Sequence, residues 1–186
     1  MRKGTCINTY SGIKFYPLSP REEEIKIEDI AHALSLVCRG NGHVKYFFSV
    51  AQHSINCYLE AKARGYSKEI QLGCLLHDAS EAYLSDITRP VKKELSQYLA
   101  IEKNLQWEIY KKYNINIEKE EVSTKIKLID DEILKYEMFN LLNVDLGEAS
   151  LKGDINLEYK DILIVKEDFL NYFNLLNDLS KNGKKD

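Results

Sequence analysis

Apolar positions recur along most of this chain at spacings of three and four, the period of a helix that buries one face. Ile30, Ala31, Leu34, Val37 and Cys38 define such a face and predict a helix over residues 29–39, closed by Gly40-Asn41-Gly42. Phe47, Phe48, Val50, Ala51, Ile55, Tyr58 and Leu59 predict a second over 45–63. A third is expected after Ser67, a residue type suited to the N-cap, and runs to about residue 84. Pro90 suits the opening turn of a short helix, and a longer one follows over 96–113. Val122, Ile126, Ile129, Ile133, Leu134 and Met138 mark a fifth long segment over 120–142; Phe169, Leu170, Phe173 and Leu176 mark a last one over 166–179. The period changes at the start of the chain. There Ile7, Thr9, Ile13 and Phe15 alternate around Tyr10-Ser11-Gly12, a hairpin signal within residues 5–16, ended by Pro17 and Pro20. Residues 143–164 are expected to be an irregular loop, and 180–186 a polar tail. With no repeat or linker in view, the expectation is one all-α domain over 1–186, a helical bundle with a short N-terminal β-hairpin.

Composition narrows the class. The 186 residues are 44% hydrophobic and 30% charged, as a globular chain with a real core requires. A net charge of −3 offers no general attraction for a nucleic acid polymer or an anionic membrane, so neither is expected as a partner. Cys6, Cys38, Cys57 and Cys74 are far apart and form no C-x-x-C pair, which suits reduced thiols; Cys57 and Cys74 read as small core residues. No apolar run approaches membrane-spanning length, and Met1-Arg2-Lys3 precedes no hydrophobic signal core. A cytoplasmic protein is expected.

The chemistry appears where polar residues interrupt the apolar pattern. The run Leu72 to Leu76 ends on His77-Asp78, and Glu81 and Asp86 follow. His53 lies within the second apolar segment and Asp130 within the fifth. A single buried His is usually packed and hydrogen-bonded, and most charged side chains are solvated. Several carboxylates and imidazoles inside apolar helices are costly together unless a cation compensates them. A metal held by His53, His77, Asp78 and Asp130 accounts for all four, in the manner of sites built between facing helices of a bundle. Two imidazoles and two carboxylates suit one divalent Mn, Co, Zn, Fe or Ni ion better than Ca. Asp130 is preferred to Asp131 because it keeps step with Ile126 and Ile133, whereas Asp131 points about 100° away. Glu137 returns to the same face seven residues later. In a continuous helix His77 and Glu81 would share a face. Glu81 and Asp86, not needed as ligands, are candidates for general base and water-orienting group. Arg39, His43, Arg89 and Lys92 flank these positions and are candidates for binding phosphate.

The pattern His53, then His77-Asp78, then Asp130 resembles the H…HD…D motif of the HD-domain metal-dependent phosphohydrolases. Within that superfamily, His77-Asp78-Ala79-Ser80-Glu81, Asp86 and Pro90-Val91-Lys92 look like the bacterial 5′-deoxynucleotidases. Tyr10-Ser11-Gly12 through Asp29-Ile30-Ala31-His32 to Arg39 and His43 looks more like a subgroup that includes dATP triphosphohydrolases. The resemblance covers about residues 7–140. It implies hydrolysis of the 5′ phosphate ester of a deoxynucleotide, mono- or triphosphate, to the deoxynucleoside, by a homo-oligomer. The alternative expectation is a regulatory module of the same fold that binds nucleotide with little or no turnover.

Overall fold

The computed structural model describes residues 2–182, with side chains through Asn177. It is mostly helical, with a two-stranded antiparallel hairpin near its N-terminus. The strands are shorter than the alternation suggested: β1 is Ile7–Asn8 and β2 Lys14–Phe15, with Ile7 opposite Phe15. Phe15 is fully buried and stacks on Tyr83, with ring centroids 4.0 Å apart. The turn is tied down separately. The backbone N–H and hydroxyl of Ser11 donate to the Asp29 carboxylate at 2.6 and 2.8 Å. A two-stranded hairpin is marginal alone, and these contacts hold it on the helices.

The helices are α1 (Ile27–Leu36), α2 (Val50–Ala63), α3 (Lys68–Leu76), α4 (Glu81–Leu84), α5 (Arg89–Lys92), α6 (Ser96–Lys112), α7 (Glu120–Leu142) and α8 (Ile162–Asn182). Their buried faces meet in a cluster from Phe15 and Ile30 through Leu75, Ile109 and Ile129 to Phe169 and Phe173. The bounds of α7 match the expectation, and α6 differs by one residue. The Ser67 hydroxyl caps α3 as expected, accepting from the N–H of Ile70 at 3.4 Å. None of the helices among the described residues is long and apolar enough to cross a membrane.

Three boundaries depart from the sequence reading, and the first two have a visible cause. First, α1 ends at Leu36, and α2 starts at Val50 rather than near residue 45. Between them Cys38 and Ser49 form a bridge, the N–H of Arg39 donates to Phe48 O at 2.8 Å, and that of Val50 to Val37 O at 2.9 Å. Long-range backbone pairing thus replaces helix here, and Ser49 caps α2 by accepting from the N–H of Gln52. Gly40 and Asn41, with φ of 57° and 53°, turn the chain inside this loop.

Second, the expected third helix breaks after Leu76. Gln106 of α6 donates to Leu76 O at 2.7 Å and accepts from the N–H of Ser80 at 2.9 Å. The backbone between tightens into i→i+3 turns, Ala79 N–H to Leu76 O and Glu81 N–H to Asp78 O. His77 and Glu81 therefore do not sit one above the other on a continuous helix.

Third, α8 begins four residues early and runs to Asn182; of the expected polar tail, residues 183–186 lie outside the described residues. Residues 143–161 carry no helix or strand, as expected, yet they are closely anchored. Lys152 and Gly153 donate backbone N–H groups to the fully buried Glu60 carboxylate, Asn56 donates to Asn156 O, Gln52 to Glu158 O, and Tyr46 to Leu157 O. The segment lies as a strap across α2.

Candidate metal centre and adjoining cavity

His53 lies at the start of the second turn of α2, and His77 forms the C-cap of α3. Each ring is fixed through Nδ1. The carbonyl oxygen of Cys74 is 2.8 Å from His77 Nδ1; because it can only accept, this nitrogen carries the proton. His53 Nδ1 lies 2.8 Å from Glu137 Oε1 of α7, the same arrangement with a carboxylate. Both rings therefore turn Nε2 inward, and the two Nε2 atoms are 3.2 Å apart. Asp130 Oδ1 is 3.2 Å from His53 Nε2 and 3.6 Å from His77 Nε2. Asp78 Oδ2 is 3.3 Å from His77 Nε2 and 3.8 Å from His53 Nε2.

The four expected ligand positions are thus brought together from α2, the end of α3 and α7. Asp131 is not part of the cluster; it faces Arg89 at 3.3 Å. One neighbour was not foreseen. Cys57, one turn along α2 from His53, places Sγ 3.6 Å from His53 Nε2. The donor atoms of His53, Cys57 and His77 all lie within 4.8 Å of one another, a group that could hold a metal ion. The i, i+4 spacing of His53 and Cys57 was visible, but a Cys in an apolar stripe carries no mark that separates ligand from core.

Charge around the cluster is dense. Burial alone would depress the His77 imidazole; the charge of Asp78 and the hydrogen bond and charge of Asp130 outweigh it and push it up to about 9. Burial and Arg39 depress His53, yet Glu137 and Asp130 raise it on balance. Burial would likewise raise Asp130, but its hydrogen bonds to both imidazoles hold it well below the usual carboxylate range. Burial pushes the Cys57 thiol up, and the charge of Asp130 adds to it.

Arg39 is largely buried and reaches Glu137 at 3.5 Å, Asp78 at 3.6 Å and Asp86 at 4.0 Å. Burial opposes its charge, but these acids and Glu81 keep it firmly protonated. Arg39 therefore serves first as a counter-ion inside the cluster. Glu81 is buried with Oε2 unpartnered, and Lys92 reaches its Oε1 at 3.3 Å while also holding Glu102 at 2.7 Å. Burial, then the charges of Asp78 and Asp86, push the Glu81 carboxyl well above its ordinary range. Arg89, mostly exposed, closes the rim by pairing with Asp130 Oδ2 at 3.1 Å as well as with Asp131. His43 is exposed and lies on the cavity wall.

The charged groups line, or pair with residues that line, one cavity of about 710 Å³; His53, Cys57 and the part-buried His77 lie behind that lining. Its charged part holds Asp78, Glu81, Asp86, Asp130 and Glu137 together with Arg39, Arg89 and Lys92. Its apolar part is formed by Val44, Leu134, Met138, Leu141, Leu142 and Leu146. Asp130, Leu134, Met138 and Leu141 follow one another along α7, so the apolar wall extends about 16 Å from the acid end, at 1.5 Å per residue. A second hollow of about 330 Å³, beside Trp107 and Tyr110, contains no comparable cluster.

A mostly helical chain with a buried His/Cys/His group bordering a charged cavity is the class that fold and site define. No protein-family model matches it. It is 38% identical over 109 residues to the uncharacterized protein YfdR of Escherichia coli K12, covering 59% of this chain and 58% of that protein. It is 36% identical over 110 residues to the uncharacterized protein RCAP_rcc00048 of Rhodobacter capsulatus, covering 56% of each. The chain thus spans somewhat over half the length of the curated relatives it matches, and neither name carries a function.

Proposed function

We propose that this chain is an HD-type metal-dependent phosphohydrolase that cleaves the 5′ phosphate ester of deoxynucleotides. The observation that carries the reading is the convergence of two Nδ1-anchored imidazoles and two carboxylates on one point. Metal–donor bonds of about 2.1 Å place neighbouring donors about 3.0 Å apart at right angles and about 3.4 Å apart in a tetrahedron. The five separations described above run from 3.2 to 3.8 Å, so the residues present fit a small divalent ion. In this reading His53, His77, Asp78 and Asp130 are the ligands. Cys57 is the weaker candidate, because its thiol must lose a proton that burial holds tightly. The Glu137 contact to His53 Nδ1 is the kind of outer partner that orients a ligating imidazole.

When bound, a divalent transition metal supplies Lewis acidity toward a phosphoryl oxygen and lowers the pKa of water. The chain's own residues do the rest. Glu81, with one oxygen unpartnered and its carboxyl inclined to keep a proton, exchanges that proton with the reacting oxygens. Asp86, beside Arg39, orients the water. Arg39, Arg89 and Lys92 offset the charge of the phosphoryl group, with His43 at the mouth. The apolar wall takes the nucleoside.

The test is product analysis with each dNMP and dNTP in the presence of Mn, Co, Zn, Fe or Ni. The deoxynucleoside is the expected product. Glu81→Ala and Asp86→Ala should keep metal and nucleotide but slow turnover by about 10²–10⁴. Nucleotide binding with no turnover under any metal would replace the enzyme by a regulatory module of the same fold.

A further inference from the structure

The turn between α4 and α5 holds its backbone in a conformation that its sequence does not favour. Ser85, the C-cap of α4, has φ 72° and ψ 156°, a region that glycine enters freely and L side chains rarely adopt. The other non-glycine residues with positive φ among the described residues are all asparagines, a residue type that tolerates left-handed backbone. Strain of this kind persists only where neighbouring groups over-determine the chain. Both sides of Ser85 are pinned. Its N–H donates to Glu81 O at 2.8 Å, and its carbonyl oxygen accepts from the Tyr98 hydroxyl at 2.8 Å. The next residue is Asp86, whose largely buried carboxylate faces Arg39 at 4.0 Å; Asp86, Ile87 and Thr88 all line the cavity.

Tyr98 belongs to a row. Tyr98, Glu102 and Gln106 stand four residues apart along one side of α6, and each grips the segment that carries His77, Asp78, Glu81 and Asp86. Tyr98 takes the carbonyl of Ser85, Glu102 the ammonium of Lys92 at 2.7 Å, and Gln106 the backbone of Leu76 and Ser80. Of the three, Tyr98 alone grips a residue with positive φ. We propose that Tyr98 and Ser85 are a positioning pair for Asp86: the Tyr98 hydroxyl keeps Ser85 in its strained conformation, and that conformation aims the Asp86 carboxylate into the cavity beside Arg39. Without the Tyr98 bond, Ser85 rotates toward an allowed φ and carries Asp86 with it. The role of Asp86 rests on the phosphohydrolase reading, but the hold on the turn is measurable without turnover.

The experiment compares Tyr98→Phe, Ser85→Gly and the double variant by hydrogen exchange of residues 81–88, by thermal midpoint, and by kcat and KM for dAMP with Mn supplied. Glycine adopts the same backbone without strain, so Ser85→Gly alone should raise the midpoint and keep exchange of the turn slow. Tyr98→Phe should speed exchange across 81–88 about tenfold and lower kcat about tenfold, with KM nearly unchanged because Asp86 orients water and does not bind substrate. In the Ser85→Gly background the same substitution should change exchange and kcat far less. It should nevertheless lower the midpoint by more than in the parent chain, because no strain is left to recover. A merely structural role for Tyr98 does not rescue kcat while enlarging the loss of stability. An unchanged or lower midpoint in Ser85→Gly, or equal effects of Tyr98→Phe on exchange and kcat in both backgrounds, overturns the proposal. If neither dAMP nor any other nucleotide is hydrolysed, exchange decides. The expected pattern then keeps the positioning pair and removes the enzyme reading, whereas exchange unmoved by Tyr98→Phe removes the pair.

Discussion

Asp130 and Asp131 are adjacent, chemically identical and differently placed. Asp130 reaches both Nε2 atoms, while Asp131 reaches only Arg89. Asp130→Asn should therefore abolish tight metal binding and Asp131→Asn should leave it within a few-fold, as read by metal analysis after dialysis. The same helix carries Glu137, which holds His53 Nδ1 with one oxygen and Arg39 with the other. Glu137→Ala should lower metal affinity by about 10–100-fold, the usual effect of removing a carboxylate behind a ligating His. Competition with a coloured chelator measures it. These residues differed in legibility. His53, His77, Asp78 and Asp130 stood out as polar breaks in apolar stripes. Glu137 could be placed on the right face, but not given its partner, because a single helix face does not say which neighbour packs on it. The acids around Arg39 were not legible either, since they come from residues 78, 86 and 137.

Whole helices followed the apolar period closely where tertiary partners agreed with it, as in α7. They failed where a distant group competed for the backbone. Gln106 is the clearest case: it takes Leu76 O and Ser80 N–H, and the chain from His77 to Ser80 tightens away from the helix. Replacing it with Ala leaves the Ser80 N–H without its partner, at about 1–3 kcal/mol, while Leu76 O keeps the N–H of Ala79. Gln106→Ala should thus lower the unfolding midpoint in urea and loosen metal binding, because His77 and Asp78 ride on that turn. A midpoint within error of wild type would show that water replaces the side chain. The anchoring of the strap was not legible for a different reason. Leu151, Gly153, Ile155 and Leu157 alternate inward with more exposed neighbours, a period of two that was present in the sequence. The strap's bonds run to side chains of α2, to Tyr46 and to Glu132 of α7, which no periodicity reveals.

Across the molecule, the strap and the cavity are one system, since Leu146 of the same segment lines the apolar wall. Its main anchor is Glu60, fully buried and holding Arg64 at 2.6 Å besides the N–H groups of Lys152 and Gly153. Removing it leaves the N–H groups of Lys152 and Gly153 without their acceptor, at about 1–3 kcal/mol each. Glu60→Ala should make residues 145–160 the first site of limited proteolysis and weaken nucleotide binding, while metal binding at the cluster around His53, two turns away along α2, should persist. The separations along the chain add a temporal consequence. His53 and His77 are 24 residues apart, in neighbouring helices, whereas Glu137 meets His53 across 84 residues and Gly153 meets Glu60 across 93. Closing longer loops demands more entropy and slows assembly. During folding, the imidazole pair should therefore come together early, the carboxylates of α7 later, and the strap last. A refolding chain would become compact before it becomes competent, and recovery of ligand binding should lag behind recovery of helicity.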